Sequence, residues 1–178
     1  LNQTPLTRER FTAVYGEGNH LSVNTGNGTY AGACGVSTFC SAAEVSRGLL
    51  AADLDRDGDQ DLILTNANGP ARIFDNRAPK RGRWLHVRLR DRQTRRDAVG
   101  AVLQIRVGER WIVRPVIHSS SYLASTEATV HVGLGDVRAV DDIVVIWPGA
   151  ARERFTIDGL DRYVELYKGQ GQPVASRL

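Results

Sequence analysis

The sequence predicts an all-β protein. The expected architecture is a short β-repeat built round an acidic loop, packed on or fused to an antiparallel β-sandwich or barrel. Three observations carry this. Strand-like runs recur about every ten residues, rich in Val, Ile and aromatics and bounded by Gly, Pro, Asp or Asn. The 18 glycines sit mostly beside other turn formers, which implies many tight connections. No segment shows a convincing amphipathic helical period; the one candidate, "SAAEVSRGLLAA", is short and interrupted by Gly48.

Taken in order, residues 1–35 are turn-rich and irregular, although "RFTAVY" within them is strand-compatible. "LLAADL" and "DLILTN" flank the acidic loop, and "ARIFDN" follows. Then come "WLHVRLR", "AVLQIRVG", "RWIVRPVIH", "ATVHVGLG", "DDIVVIWPG", "ERFTID" and "RYVELYKG". A spacing of this kind favours a sandwich or barrel over alternating strands and helices. Alternation places Leu85, Val87, Leu89, Val102, Ile105, Val132, Ile143, Val145, Trp147 and Ile157 in the core. The expected organisation is an N-terminal segment (1–23), the repeat with its loop (24–76), the sandwich (77–170) and a C-terminal tail (171–178).

At 178 residues the chain makes one domain or two small ones. No apolar run approaches a membrane span. The absence of methionine leads us to expect a processed or partial chain. A net charge of +3 is too mild to indicate a nucleic-acid binder, and the arginines lack interleaved aromatics. Charge is nevertheless uneven. Between Arg77 and Arg96 nine basic residues face one acidic residue, Asp91, so the remainder of the chain is net acidic. In "WLHVRLRDR" the basic residues share a strand face opposite Leu85, Val87 and Leu89. The expectation is a solvated face, or else a docking surface for an acidic polysaccharide, an acidic protein ligand or another copy of the chain. Arg88, Arg90, Arg92, Arg95 and Arg96 are its candidate contacts.

The most informative stretch is "DLDRDGDQD", which brings five carboxylates into nine residues. Carboxylates at alternate positions of a tight loop converge on one point, which suits a hard cation with six to eight flexible oxygen ligands. Asp53, Asp55 and Asp57 would supply side chains, the backbone carbonyl of Asp59 the next oxygen, and Asp61 would close the shell round calcium. Gly58 would permit the sharp turn, and Leu54 would point away into the core. Magnesium fits less well, because it demands octahedral geometry. The alternative is an exposed acidic turn with no ion. A helix–loop–helix calcium site is excluded, because the twelfth position holds Leu64 rather than a bidentate Glu.

Cys34 and Cys40 have no second pair and the wrong spacing for a zinc site; a free thiol pair is the cytosolic alternative, and a small-loop disulfide is the expected outcome in an exported chain. Asn2 and Asn27 head N-x-T sequons and are candidate glycosylation sites. A hydrolase reading would use His118 with the hydroxyls of "HSSSY" and Asp136 or Asp141. Adjacent strand residues point to opposite faces, so His118 and Ser119 would not meet. No G-x-S-x-G elbow is present either. The sequence therefore reads as a non-enzyme.

"GLLAADLDRDGDQDLILTNANGPARIFDN" resembles an FG-GAP or VCBS repeat, the calcium-loop unit of integrin-alpha-type propellers, and "VNTGNGTY" resembles the turn that begins one. The pieces "RGRWLHVRLRD", "RRDAVGAVLQIRVGERW", "SSSYLASTEATVHVGLGD", "VDDIVVIWPGAARERF" and "YVELYKG" resemble, in order, an ASPIC/UnbV domain. The combination resembles the cartilage acidic protein family. It implies an extracellular or cell-surface calcium-binding β-module, structural or adhesive, without established catalytic residues. Such proteins carry several repeats, whereas one is found here, and a lone repeat leaves surface uncovered. One expectation is therefore a homo-oligomer or filament in which the N-terminal segment is donated as a strand to the next copy.

Overall fold

The computed structural model describes residues 8–79 and 82–175. The Asn2 sequon and part of the 1–23 segment lie outside them. The described chain is nearly all β and forms two compact units. The first takes in residues up to Ala52, Asp61–Asn76 and Ser121–Ala124; the second takes in Asp53–Gln60, Arg77–Ser120 and the chain from Ser125 onward. No helix among the described residues is long and apolar enough to cross a membrane.

The first unit begins with α1 (Arg8–Tyr15), so the run "RFTAVY" is helical and not extended. Eight residues make a marginal helix. Phe11 and Tyr15, one turn apart, bring their rings to 5.1 Å. Gly16 ends the helix by donating its N–H to the Thr12 carbonyl at 2.7 Å, where a Cβ would stand 2.5 Å from that oxygen.

Next, β1 (Glu17–Gly18) pairs with β4 (Ala43–Glu44), and β2 (Ser22–Asn24) with β3 (Tyr30–Gly32). Residues 17–18 and 22–24 thus pair within the chain. Two short 3-10 turns, Cys34–Val36 and Thr38–Cys40, are joined by the Cys34–Cys40 disulfide. A loop of this size adds about 2–3 kcal/mol by restricting the unfolded chain. An antiparallel sheet of β5 (Ser46–Ala52), β6 (Asp61–Asn66) and β7 (Arg72–Phe74) completes the unit. The stretch "SAAEVSRGLLAA" is therefore β4 and β5, not a helix. Its alternating burial and the seat of Gly48 against Thr65 override the weak helical pattern. Phe39, Val45 and Leu64 are buried here, and the Phe39 and Phe74 rings meet edge-on at 5.2 Å.

The second unit is a sandwich. One sheet runs β11–β10–β13–β14–β16, with β10 (Val102–Val107), β11 (Arg110–Pro115), β13 (Asp142–Ile146), β14 (Arg152–Phe155) and β16 (Gln172–Pro173). In the other, β8 (Arg83–Asp91) lies between β12 (Thr129–Gly135), antiparallel to it, and β15 (Arg162–Tyr167), parallel to it. The short β9 (Arg96–Asp97) pairs with the end of β8. Inward-facing residues of both sheets form one core that includes Leu85, Val87, Leu89, Leu103, Ile105, Val132, Ile143, Val145 and Trp147. Of the core expected from alternation, Val102 and Ile157 are only partly buried. Val102 lies on the opposite face of β10 from Leu103 and Ile105. The outer face of the second sheet carries Trp84, His86, Arg88 and Arg90 from β8, His131 from β12 and Tyr163 from β15.

Candidate metal centre on the outer face of the sandwich

The aspartate loop groups with the sandwich although the strands on either side of it belong to the first unit. Asp53, Asp55 and Asp57 each bring a carboxylate oxygen within 4.8 Å of the others. Backbone amides hold them there. Asp57 N–H donates to Asp53 Oδ1 at 3.1 Å and to Asp55 Oδ1 at 3.2 Å; Gly58 N–H donates to Asp53 Oδ2 at 2.9 Å, and Asp59 N–H to Asp57 Oδ1 at 2.9 Å. Asx-type bonds of this kind are what Asp offers a turn. Gly58 has φ +95° and Arg56 φ 64°, so the loop passes twice through the left-handed region.

The floor beneath the loop is the outer face of the second sheet. His86 stands in register with His131 on one side and Tyr163 on the other, and its ring stacks on Tyr163 at 4.5 Å. Tyr163 Oη donates to Asp53 Oδ2 at 2.8 Å. His131 Nε2 lies 2.9 Å from the Gly58 carbonyl; since a carbonyl only accepts, the proton is on Nε2. Trp84 lies so close over Gly58 that a Cβ there would fall 2.1 Å from the indole. Gly58 is thus required twice, for its backbone angle and for the approach of Trp84.

The electrostatics single out Asp53. Its side chain is fully buried, and His86 Nε2 stands 3.5 Å from its Oδ2. Burial first, then the neighbouring His131, push the His86 imidazole down to about 4 against the opposing pull of Asp53. His86 is therefore neutral at pH 7, and neither ring nitrogen makes a hydrogen bond in the described structure. Burial, then the bond to Asp53, push the Tyr163 hydroxyl up, so it remains a protonated donor. Every partner of Asp53 named here is neutral. Two carboxylate oxygens within 4.8 Å of each other repel by about 1 kcal/mol or more at the dielectric of water and about 3.5 kcal/mol or more at an effective value of 20. A hard cation among the three reverses the sign of that term, and an all-oxygen set suits calcium.

The remaining loop residues stand as follows. Asp59 is half-buried and contributes its N–H to Asp57. Asp61 opens β6 in the first unit, buried, and its Oδ1 accepts the Asn76 N–H at 2.8 Å. Leu54 does not enter a core, being 49% exposed. The tight left-handed turn beginning at Arg56 leaves it on the surface side.

The basic face differs from the solvated strip the sequence suggested. His86 is buried beneath the loop. Arg88 makes a two-pronged contact with Asp97, at 2.7 and 3.0 Å, which holds the Asp97 carboxyl below its ordinary range. Arg90 lies 3.9 Å from both Asp97 and Glu165. Arg92, Arg95 and Arg96 are exposed in and beside the turn that follows. Asn27 is exposed at the β2–β3 turn, its Oδ1 accepting from Thr25 and Thr29. His118 is exposed; its carbonyl accepts from Ser125 at 2.9 Å, and Asp141 accepts from Gly108. Of the floor residues, Tyr163, His131 and Trp84 carried no site signal in the sequence beyond their alternation with apolar neighbours.

Residues 91–173 match the family model described as ASPIC and UnbV. The match covers both sheets of the sandwich from Asp91 on, and with them His131 and Tyr163 of the loop's floor; the aspartate loop itself precedes the ASPIC/UnbV segment. No curated protein matches the chain.

Proposed function

We propose that the chain is an extracellular calcium-binding module of structural or adhesive role, without catalysis. One calcium ion would be held by Asp53, Asp55 and Asp57, with the Asp59 carbonyl and Asp61 as further ligands. The observation that carries this reading is the buried Asp53 carboxylate, one of three converging side chains, set among neutral partners. A buried carboxylate is costly unless a charge compensates it, and a dication does so. The resemblance of the loop and its flanking strands to an FG-GAP or VCBS repeat points the same way. The Cys34–Cys40 disulfide supports an oxidising compartment, and the exposed Asn27 is available to glycosylation there. The test is calorimetric titration of calcium into the chain and into Asp57→Asn. The reading expects saturable binding at one site, abolished or strongly weakened in the variant; absence of binding by the parent chain overturns it.

A further inference from the structure

Three residues of the aspartate loop reach the outer face of the second sheet. Asp53 Oδ2 accepts from the Tyr163 hydroxyl at 2.8 Å. Arg56, in its left-handed conformation, carries its guanidinium to 5.5 Å from the centre of the Tyr163 ring. The Gly58 carbonyl accepts from His131 Nε2 at 2.9 Å. Tyr163 and His131 are themselves fixed by the sheet. They flank His86 in register, one from β15 and one from β12, and both rings pack on the His86 imidazole, at 4.5 and 4.7 Å. Groups mounted on strands hold a loop more accurately than the loop's own short-range bonds do.

These bonds also select which atom of Asp53 can meet an ion. A carboxylate offers about four lone-pair sites, two on each oxygen. Oδ2 accepts from the Gly58 N–H at 2.9 Å and from Tyr163, so its two sites are filled. Oδ1 accepts from the Asp57 N–H at 3.1 Å and keeps a site, which makes it the ligand atom. Tyr163 thus sets the orientation of Asp53. His131 fixes the Gly58–Asp59 peptide, one residue before the Asp59 carbonyl expected among the ligands. Partners that orient ligand groups in this way typically account for about 10–100-fold in metal affinity. Both residues lie in the stretch 91–173 that matches ASPIC and UnbV, which the loop precedes.

We propose that Tyr163 and His131 are positioning residues of the calcium site, so that the loop owes its affinity to the sandwich as well as to its own carboxylates. The inference rests on the calcium reading and adds the two residues outside the loop on which the ion depends. Calcium is titrated calorimetrically into the whole chain and into Tyr163→Phe, His131→Leu, His131→Gln and Tyr167→Phe. Each is held at a temperature where near-ultraviolet circular dichroism in chelator shows it folded. Tyr163→Phe keeps the ring and removes only the hydroxyl; its dissociation constant is expected to rise about tenfold or more. His131→Leu is expected to do the same, while His131→Gln, which retains an N–H donor for the Gly58 carbonyl, recovers most of the affinity. Tyr167, further along β15, bonds Glu165 and not the loop, so Tyr167→Phe keeps the parent value. A purely structural role would lower the melting temperature in chelator and leave the dissociation constant unchanged. Should His131→Leu fail to fold, Tyr163→Phe set against Tyr167→Phe decides. Parent affinity in Tyr163→Phe, an equal loss in Tyr167→Phe, or His131→Gln as weak as His131→Leu overturns the proposal and leaves the calcium reading standing. A parent chain that binds no calcium overturns that reading and the proposal with it.

Discussion

The two faces of β8 differ in what holds them. Leu85, Val87 and Leu89 point inward and are essentially inaccessible; their surroundings are generic, and any apolar side chains of suitable volume would serve. Trp84, His86 and Arg88 point outward from the same strand, yet His86 is also buried, under a loop that reaches it from far away in sequence. The inner face is stabilised by removing apolar surface from water, a term indifferent to ions. The outer face carries a polar assembly round the aspartate loop, and under the calcium proposal its balance depends on the charge placed there. If the loop binds calcium as proposed, one strand joins an ion-insensitive region to an ion-sensitive one, and the distinction can be broken by substitution.

The largest effect is expected on the inner face. Leu89→Ala should destabilise by about 2–5 kcal/mol, as buried leucine truncations do, and by the same amount in calcium and in chelator when followed by denaturant unfolding. On the outer face Asp55→Ala should remove the calcium-linked part only. That part is roughly 2.7 kcal/mol at a hundredfold excess of ion over the dissociation constant, so the variant should match the parent in chelator and fall below it in calcium. Equal losses in both conditions would mean that Asp55 acts without an ion. Tyr163→Phe deprives Asp53 of a donor and should cost about 1.5 kcal/mol, the low end for a hydrogen bond to a charged group, measured in chelator.

The smallest effect belongs to the Arg88–Asp97 pair, partly exposed and away from the loop. Asp97→Asn should lose no more than about 1 kcal/mol at neutral pH. Because the folded state holds Asp97 below its ordinary carboxylate value, the pair contributes above that value and is lost as pH falls through the depressed one. The parent and variant melting curves should therefore converge on acidification. A gap that widens towards acid would contradict the assignment.

The inner face could be read from the sequence because period-two alternation is a local signal. Leu85, Val87 and Leu89 announce a buried face whatever packs on it, and each strand-like run named from "LLAADL" onward contains a strand. The convergence of Asp53, Asp55 and Asp57 was legible for the same reason, since it is set by spacing within one turn. Local reading failed where tertiary partners decide. Tyr163 lies 110 residues from the Asp53 it contacts, and His131 lies 73 from Gly58. His86 looked like part of a solvated basic stripe because nothing nearby in sequence shows that a loop covers it. Leu54 looked like a core residue because it is apolar, but the turn geometry at Arg56 and Gly58 decides its direction. "RFTAVY" holds no strong preference, and an i,i+4 aromatic pair with a terminal glycine is enough to make it a helix.

The central claim is that the aspartate loop binds calcium while seated on the outer face of the sandwich. Thermal unfolding of the intact chain, with calcium and then with chelator, tests it most directly. The account predicts a melting temperature that rises progressively with calcium concentration, in step with the occupancy of one site. A melting temperature that is the same in saturating calcium and in chelator would contradict it.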